Sequence, residues 1–116
     1  MPPRDCHSPS AVDLKLVNHE ILLSFWKVHV LHHAAEGEVI GNWMLEELRH
    51  HGYDVSPGTL YPLLKRMEKN GWLTSTADEN RGPKAPRRYT ITKEGREVLK
   101  IVRKQLRELG VEVGRD

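Results

Sequence analysis

The chain has 116 residues, 38% hydrophobic and 29% charged, with a formal net charge of +2, enough for one domain with one modest core. Its richest apolar stretch, Ile21 to Leu31, is interrupted by Ser24, Lys27 and His29 and falls short of a membrane span. The single Cys6 excludes an internal disulfide framework, so a reducing cytoplasm is the expected compartment.

Residues 1–12 open with MPPRDCHSPS, which lacks the apolar core of a signal peptide and reads as a disordered arm. From Asp13 to about Ala35 the pattern predicts a long first helix, with Asp13 as a candidate cap. Leu14, Val17, Ile21, Phe25 and Val28 make one apolar stripe, and Leu16, Leu23 and Val30 a second on another side. Two stripes call for two partners: the domain's own core, and either more of the same domain or a second copy of the chain.

Glu36-Gly37-Glu38 is a turn, and Ile40 to His51 a second helix with Trp43 or Met44, Leu45 and Leu48 inward. Gly52 stops it, and Tyr53-Asp54-Val55 connects tightly to the next element. That element, Ser56 to Gly71, carries its own punctuation. Ser56 is a favoured N-cap, Pro57 suits the first helical position, and Asn70-Gly71 is a stop. Leu60, Leu63, Leu64 and Met67 form one inner stripe, while Thr59, Lys65, Arg66 and Lys69 lie largely off it. Pro62 removes one backbone hydrogen bond and should bend the first turns. Two short helices with Gly at the junction match a helix-turn-helix, whose second helix enters a major groove.

After Gly71 the period becomes two. Trp72 to Ala77 and Arg87 to Thr92 read as strands, with Tyr89 and Ile91 on one side and Arg88 and Thr90 on the other. Between them Asp78 to Pro86 is dense in turn residues and carries Arg81 and Lys84, so the pair predicts a hairpin with a basic tip. Thr92 or Lys93 opens a last helix to about Leu109. Val98, Leu99, Val102, Leu106 and Leu109 form its apolar stripe. Little core remains for it, so it reads as a dimerisation arm paired with the second stripe of the first helix, the alternative being a helix folded back on its own domain. The candidate interface residues are Leu16, Leu23, Val98, Val102, Leu106 and Leu109. Residues 110–116 should fray.

The net charge conceals a division. Residues 1–55 hold four Lys/Arg against eight Asp/Glu, residues 56–107 hold 13 against five, and residues 108–116 hold one against three, giving −4, +8 and −2. Such asymmetry suggests a polyanionic partner, nucleic acid first and a membrane surface second.

GYDVSPGTLYPLLKRMEKNGWL (Gly52 to Leu73), followed by RRYTITKEGREVL (Arg87 to Leu99), resembles the PadR family of bacterial transcriptional regulators. The resemblance spans roughly residues 14–109. It implies a mainly α fold with a small β-hairpin: a winged helix-turn-helix over residues 13–92, flanked by N- and C-terminal dimerisation helices, the latter at 93–109. It further implies a homodimeric repressor on a pseudo-palindromic double-stranded operator, released by a small molecule or another signal. Family DNA contacts carry over to Ser56, Thr59, Tyr61, Lys65 and Arg66, and to Lys84, Arg87 and Arg88 in the wing. Tyr61 fits either a phosphate contact or a core aromatic. Two places depart from the family pattern, the wing tip RGPKAP and the second-helix start GNWM around Trp43. Some compact family members bind flat aromatic drugs; here Trp26 is the one candidate to stack on them, its other reading being a core residue. A winged-helix module that meets an acidic protein instead of DNA is the alternative function.

No catalytic constellation or phosphate-binding glycine loop is present, so neither enzyme activity nor a cofactor is expected. His29 and His33 have a chelating i, i+4 spacing, with His32, His50 and His51 also in the chain. Without Cys or paired carboxylates at ligand spacing, no metal site is assigned.

Overall fold

The computed structural model describes residues 11–77 and 86–114. The first helix is a continuous rod in three parts: α1 (Leu14–Val17), a π-helical stretch (Asn18–Leu22) and α2 (Leu23–Glu36). Asp13 caps it, its carboxylate accepting from the Lys15 and Leu16 backbone N–H groups. Then follow β1 (Val39–Ile40), α3 (Gly41–His50), α4 (Pro57–Lys69), β2 (Leu73–Ala77), β3 (Arg87–Ile91) and α5 (Lys93–Val113). The three strands form an antiparallel sheet in the order β1-β3-β2. This is a winged helix-turn-helix, mainly α, with long helices at both ends.

The core sits where α2, α3 and α4 meet the sheet. Trp26, Val30, Leu31 and Ala34 enter from α2, Met44, Leu45 and Leu48 from α3, and Leu60, Leu63, Leu64 and Met67 from α4. Val39, Leu73 and Tyr89 close it from the strands, and Leu99 from α5. The four apolar positions predicted for α4 are all buried.

The first helix reverses one expectation. Val30 is fully buried and Leu23 packs against the core, whereas Leu14, Ile21 and Phe25 of the other stripe stay exposed. Leu16 is also exposed, so Leu16, Leu23 and Val30 do not share one environment. The π-helical stretch lies between Leu16 and Leu23. Its wider i→i+5 turn shifts the phase of everything after it, which a uniform 3.6-residue wheel misses.

Other differences are local. Val39–Ile40 pairs as a third strand with Tyr89 and Arg88, so Ile40 ends a strand instead of starting the second helix. Met44, not Trp43, faces inward, and Trp43 is 49% exposed. Trp26 is core. The last helix does not fray after Leu109 but continues through Gly110 to Val113. Thr92 caps it, its hydroxyl accepting from the Gly95 N–H at 2.9 Å. The hydroxyl itself donates to the Gly71 carbonyl, which ties the start of α5 to the end of α4.

Candidate nucleic-acid interface

The turn between α3 and α4 is built from backbone bonds and one side chain. Gly52 takes φ +96°, a left-handed conformation open to glycine. Its N–H donates to Arg49 O, and Tyr53 N–H to Leu48 O. Arg49 Nε donates to Val55 O at 3.1 Å, pinning the connector so that α4 starts at a fixed angle to α3.

Ser56 has the extended backbone of an N-cap, but its hydroxyl lies 3.3 Å from that of Thr59 and makes no bond to a backbone N–H. The helix runs through Pro62 without a break and stops where Gly71 takes φ +87°. Lys65, Arg66 and Lys69 are exposed on the face opposite the core, and Arg66 and Lys69 also complement the C-terminal end of the dipole. Ser56 and Thr59 lie to one side, lining a groove shared with Asn18 and Leu23 of the first helix.

Tyr61 lies to the other side and resolves both of its readings in part. Its ring packs so closely on Gly41 that a methyl group there would collide with it. Its hydroxyl donates to Asn42 Oδ1 at 2.7 Å, and the residue remains 39% exposed. It therefore braces α4 against the first turn of α3, a role for Asn42 and Gly41 that no local sequence signal announced.

The two hairpin arginines point apart. Arg87 Nε donates to Ser75 Oγ at 3.0 Å, and Ser75 Oγ donates to Glu68 Oε2 at 2.8 Å, a chain from β3 through β2 to α4. Arg88 lies on the opposite face, 3.6 Å from Glu38. Both arginines are exposed. Arg87 shares a cleft of about 320 Å³ with Tyr61, Lys65 and Asn42, while Arg88 is outside it. The structure thus brings Tyr61, Lys65 and Arg87 together, sets Ser56 and Thr59 on the far flank, and turns Arg88 away. Lys84 and Arg81 lie outside the described residues, as do residues 1–10 with Cys6.

The expected interface residues also separate. Val98 packs against the core with Leu99, and Val102 is half-buried. Leu106 and Leu109 are exposed at 44% and 51%. Phe25 and Val28 from α2 and Leu99 and Leu106 from α5 line an apolar groove of about 370 Å³.

Comparison with known proteins agrees with this architecture. Residues 30–101 match the transcriptional regulator PadR-like family. The chain is 49% identical over 87 residues to the transcriptional regulator Rv3488 of Mycobacterium tuberculosis, a match covering 75% of this chain and 80% of that one. Among solved structures, a PadR family transcriptional regulator from Eggerthella lenta is similar with a TM-score of 0.64 and 31% identity, covering 87% of this chain and 92% of that one. A PadR-like transcriptional regulator from Bacillus cereus gives 0.68 and 29%, covering 85% and 93%.

Proposed function

The chain belongs to the PadR-like family of transcriptional regulators, and from that premise we propose that it is a cytoplasmic, homodimeric repressor that binds a pseudo-palindromic DNA operator and leaves it on a small-molecule or other signal. The observation that carries the reading is the basic, exposed face of α4 with Lys65 set in one cleft with Arg87 of the hairpin. In the dimer two α4 helices enter successive major grooves, on half-sites about one helical turn, roughly 35 Å, apart. Lys65, Arg66, Lys69, Arg87 and Arg88 supply phosphate attraction, and Ser56, Thr59 and Tyr61 sit at the entering end of the helix. The basic face belongs to the second helix of a helix-turn-helix, the element that reads a duplex, so nucleic acid is preferred to a membrane surface as its partner. No described helix is long and apolar enough to cross a membrane.

The test is a mobility-shift titration on the DNA upstream of the protein's own gene, at several salt concentrations. The wild type should bind it in preference to a scrambled duplex. Arg87→Ala with Arg88→Ala should weaken all duplexes alike and flatten the log K against log salt slope by roughly 1 to 2, about one for each phosphate no longer neutralised. Replacing Thr59 should change sequence preference instead. Unchanged affinity and slope in the double variant would remove the wing from the interface.

A further inference from the structure

Away from the basic face, the fold assembles a second group of side chains with chemistry to offer. His29 and His33 stand one turn apart on α2, and His51 follows the last residue of α3 and faces them. One ligating atom from each of the three lies within 4.8 Å of the others. Glu47, one turn before His51, brings its carboxylate to two of them: Oε2 is 3.4 Å from His33 Nε2 and 3.1 Å from His51 Nε2.

We propose that His29, His33, His51 and Glu47 form a binding site for one divalent transition-metal ion of the zinc type, bridging α2 to the C-terminal end of α3. Three imidazoles and a carboxylate are a borderline-soft donor set that suits such ions. Tetrahedral bonds of about 2.0–2.1 Å place neighbouring donors roughly 3.3 Å apart, close to the two Glu47 separations. The Tyr53 hydroxyl, 3.4 Å from His29 Nε2, is an outer partner of the sort that orients a ligating ring. Burial lowers the pKa of His29 and His33, aided at His29 by His51 and at His33 by His32, with Glu47 opposing at each.

A competing trio, His32, His33 and Glu36, lies on the first helix alone. There Arg103 Nη2 is 3.3 Å from His32 Nδ1, and a fixed cation at that range opposes a dication. The site across two helices is therefore the one assigned. An ion there would fasten α3 to α2 immediately before the turn into α4.

The experiment uses the full chain without a histidine tag, stripped by a chelator, and titrates Zn²⁺ in competition with a chromophoric chelator. Co²⁺ in a parallel titration reports coordination through its visible bands. We expect one equivalent per chain, intense tetrahedral Co²⁺ bands, and a raised Tm with Zn²⁺. His51→Ala, at an exposed helix end, should lower affinity on the order of 100-fold or more, since even outer partners of a metal are worth 10- to 100-fold. Its metal-free Tm confirms folding, and Glu47→Gln gives a second variant with a weaker loss. His32→Ala should bind as wild type. Absence of stoichiometric Zn²⁺ binding by the wild type, or full affinity in His51→Ala, overturns the site. Loss in His32→Ala with retention in His51→Ala overturns it too, by moving the ion to the other trio.

Discussion

Gly95 shows how one residue constrains the whole domain. It is buried in the first turn of α5, where a Cβ would collide with the Trp72 carbonyl oxygen and stand 2.7 Å from Ile91 Cγ1. A backbone oxygen cannot swing aside as a side chain can. Gly95→Ala should therefore force α5 off the sheet and destabilise the fold by about 1–3 kcal/mol, the usual cost of overpacking. Urea unfolding checks this: the midpoint should fall with the m-value unchanged. Gly41 makes a useful contrast, because the atom that crowds its missing Cβ belongs to the Tyr61 side chain, which is partly exposed and can swing aside at the cost of its hydrogen bond to Asn42. The same modification is thus a backbone problem at one glycine and a side-chain problem at the other.

At the scale of elements, the helix-turn-helix was legible because its signals are local. Gly52, Pro57, Gly71 and Thr92 each act on their own turn of chain, and all four sit where the sequence put them. Two features were hidden for physical reasons. Val39–Ile40 is a strand only because Tyr89 and Arg88, far along the chain, complete its ladder. The π-helical stretch has no composition of its own, yet it changes which stripe of the first helix meets the core. The Tyr61–Asn42 bond and the Glu68–Ser75–Arg87 chain likewise need the fold before they exist. The packing of α2 on α3 leads to a pH prediction. His29 faces His32 and His33 on its own helix, His51 and Glu47 from α3, and the Tyr53 hydroxyl; His33 faces His32, Glu36, Glu47 and His51. Both rings have a lower pKa folded than the unfolded value of 6.5. The unfolded chain then binds more protons in the window below 6.5, so their contribution is fully present above that pH and is lost as pH falls through the folded values. In chelator-treated protein, unfolding free energy should decline from pH 7 toward pH 5, and His29→Gln with His33→Gln should make that decline shallower. A double variant as pH-sensitive as the wild type would refute the assignment.

For the whole molecule, shape carries the argument. The radius of gyration is 17.1 Å and the extents are 59 × 33 × 23 Å, whereas a compact chain of about this length would have a radius of roughly 13 Å. Much of the excess is α5, whose 21 residues span roughly 30 Å at 1.5 Å each. Leu99, Val102, Leu106, Leu109 and Val113 follow a heptad-like spacing along it. Only the first of these is fully buried in the single chain. The first helix adds Leu14, Ile21 and Phe25, all exposed in the single chain. The homodimer we propose covers both faces, because a second copy of the chain offers a matching pair by symmetry. Cutting the chain after Glu97 would be a poor test, because it removes Leu99 from the core. Leu106→Lys with Leu109→Lys changes only exposed positions, so the domain should keep its circular-dichroism spectrum. We expect sedimentation equilibrium to give twice the 13.4 kDa chain mass for the wild type and the single mass for this variant. Its mobility-shift affinity should fall with dimerisation, since one α4 helix then reaches only one half-site. A variant that stays dimeric would place the interface elsewhere than on the outer half of α5.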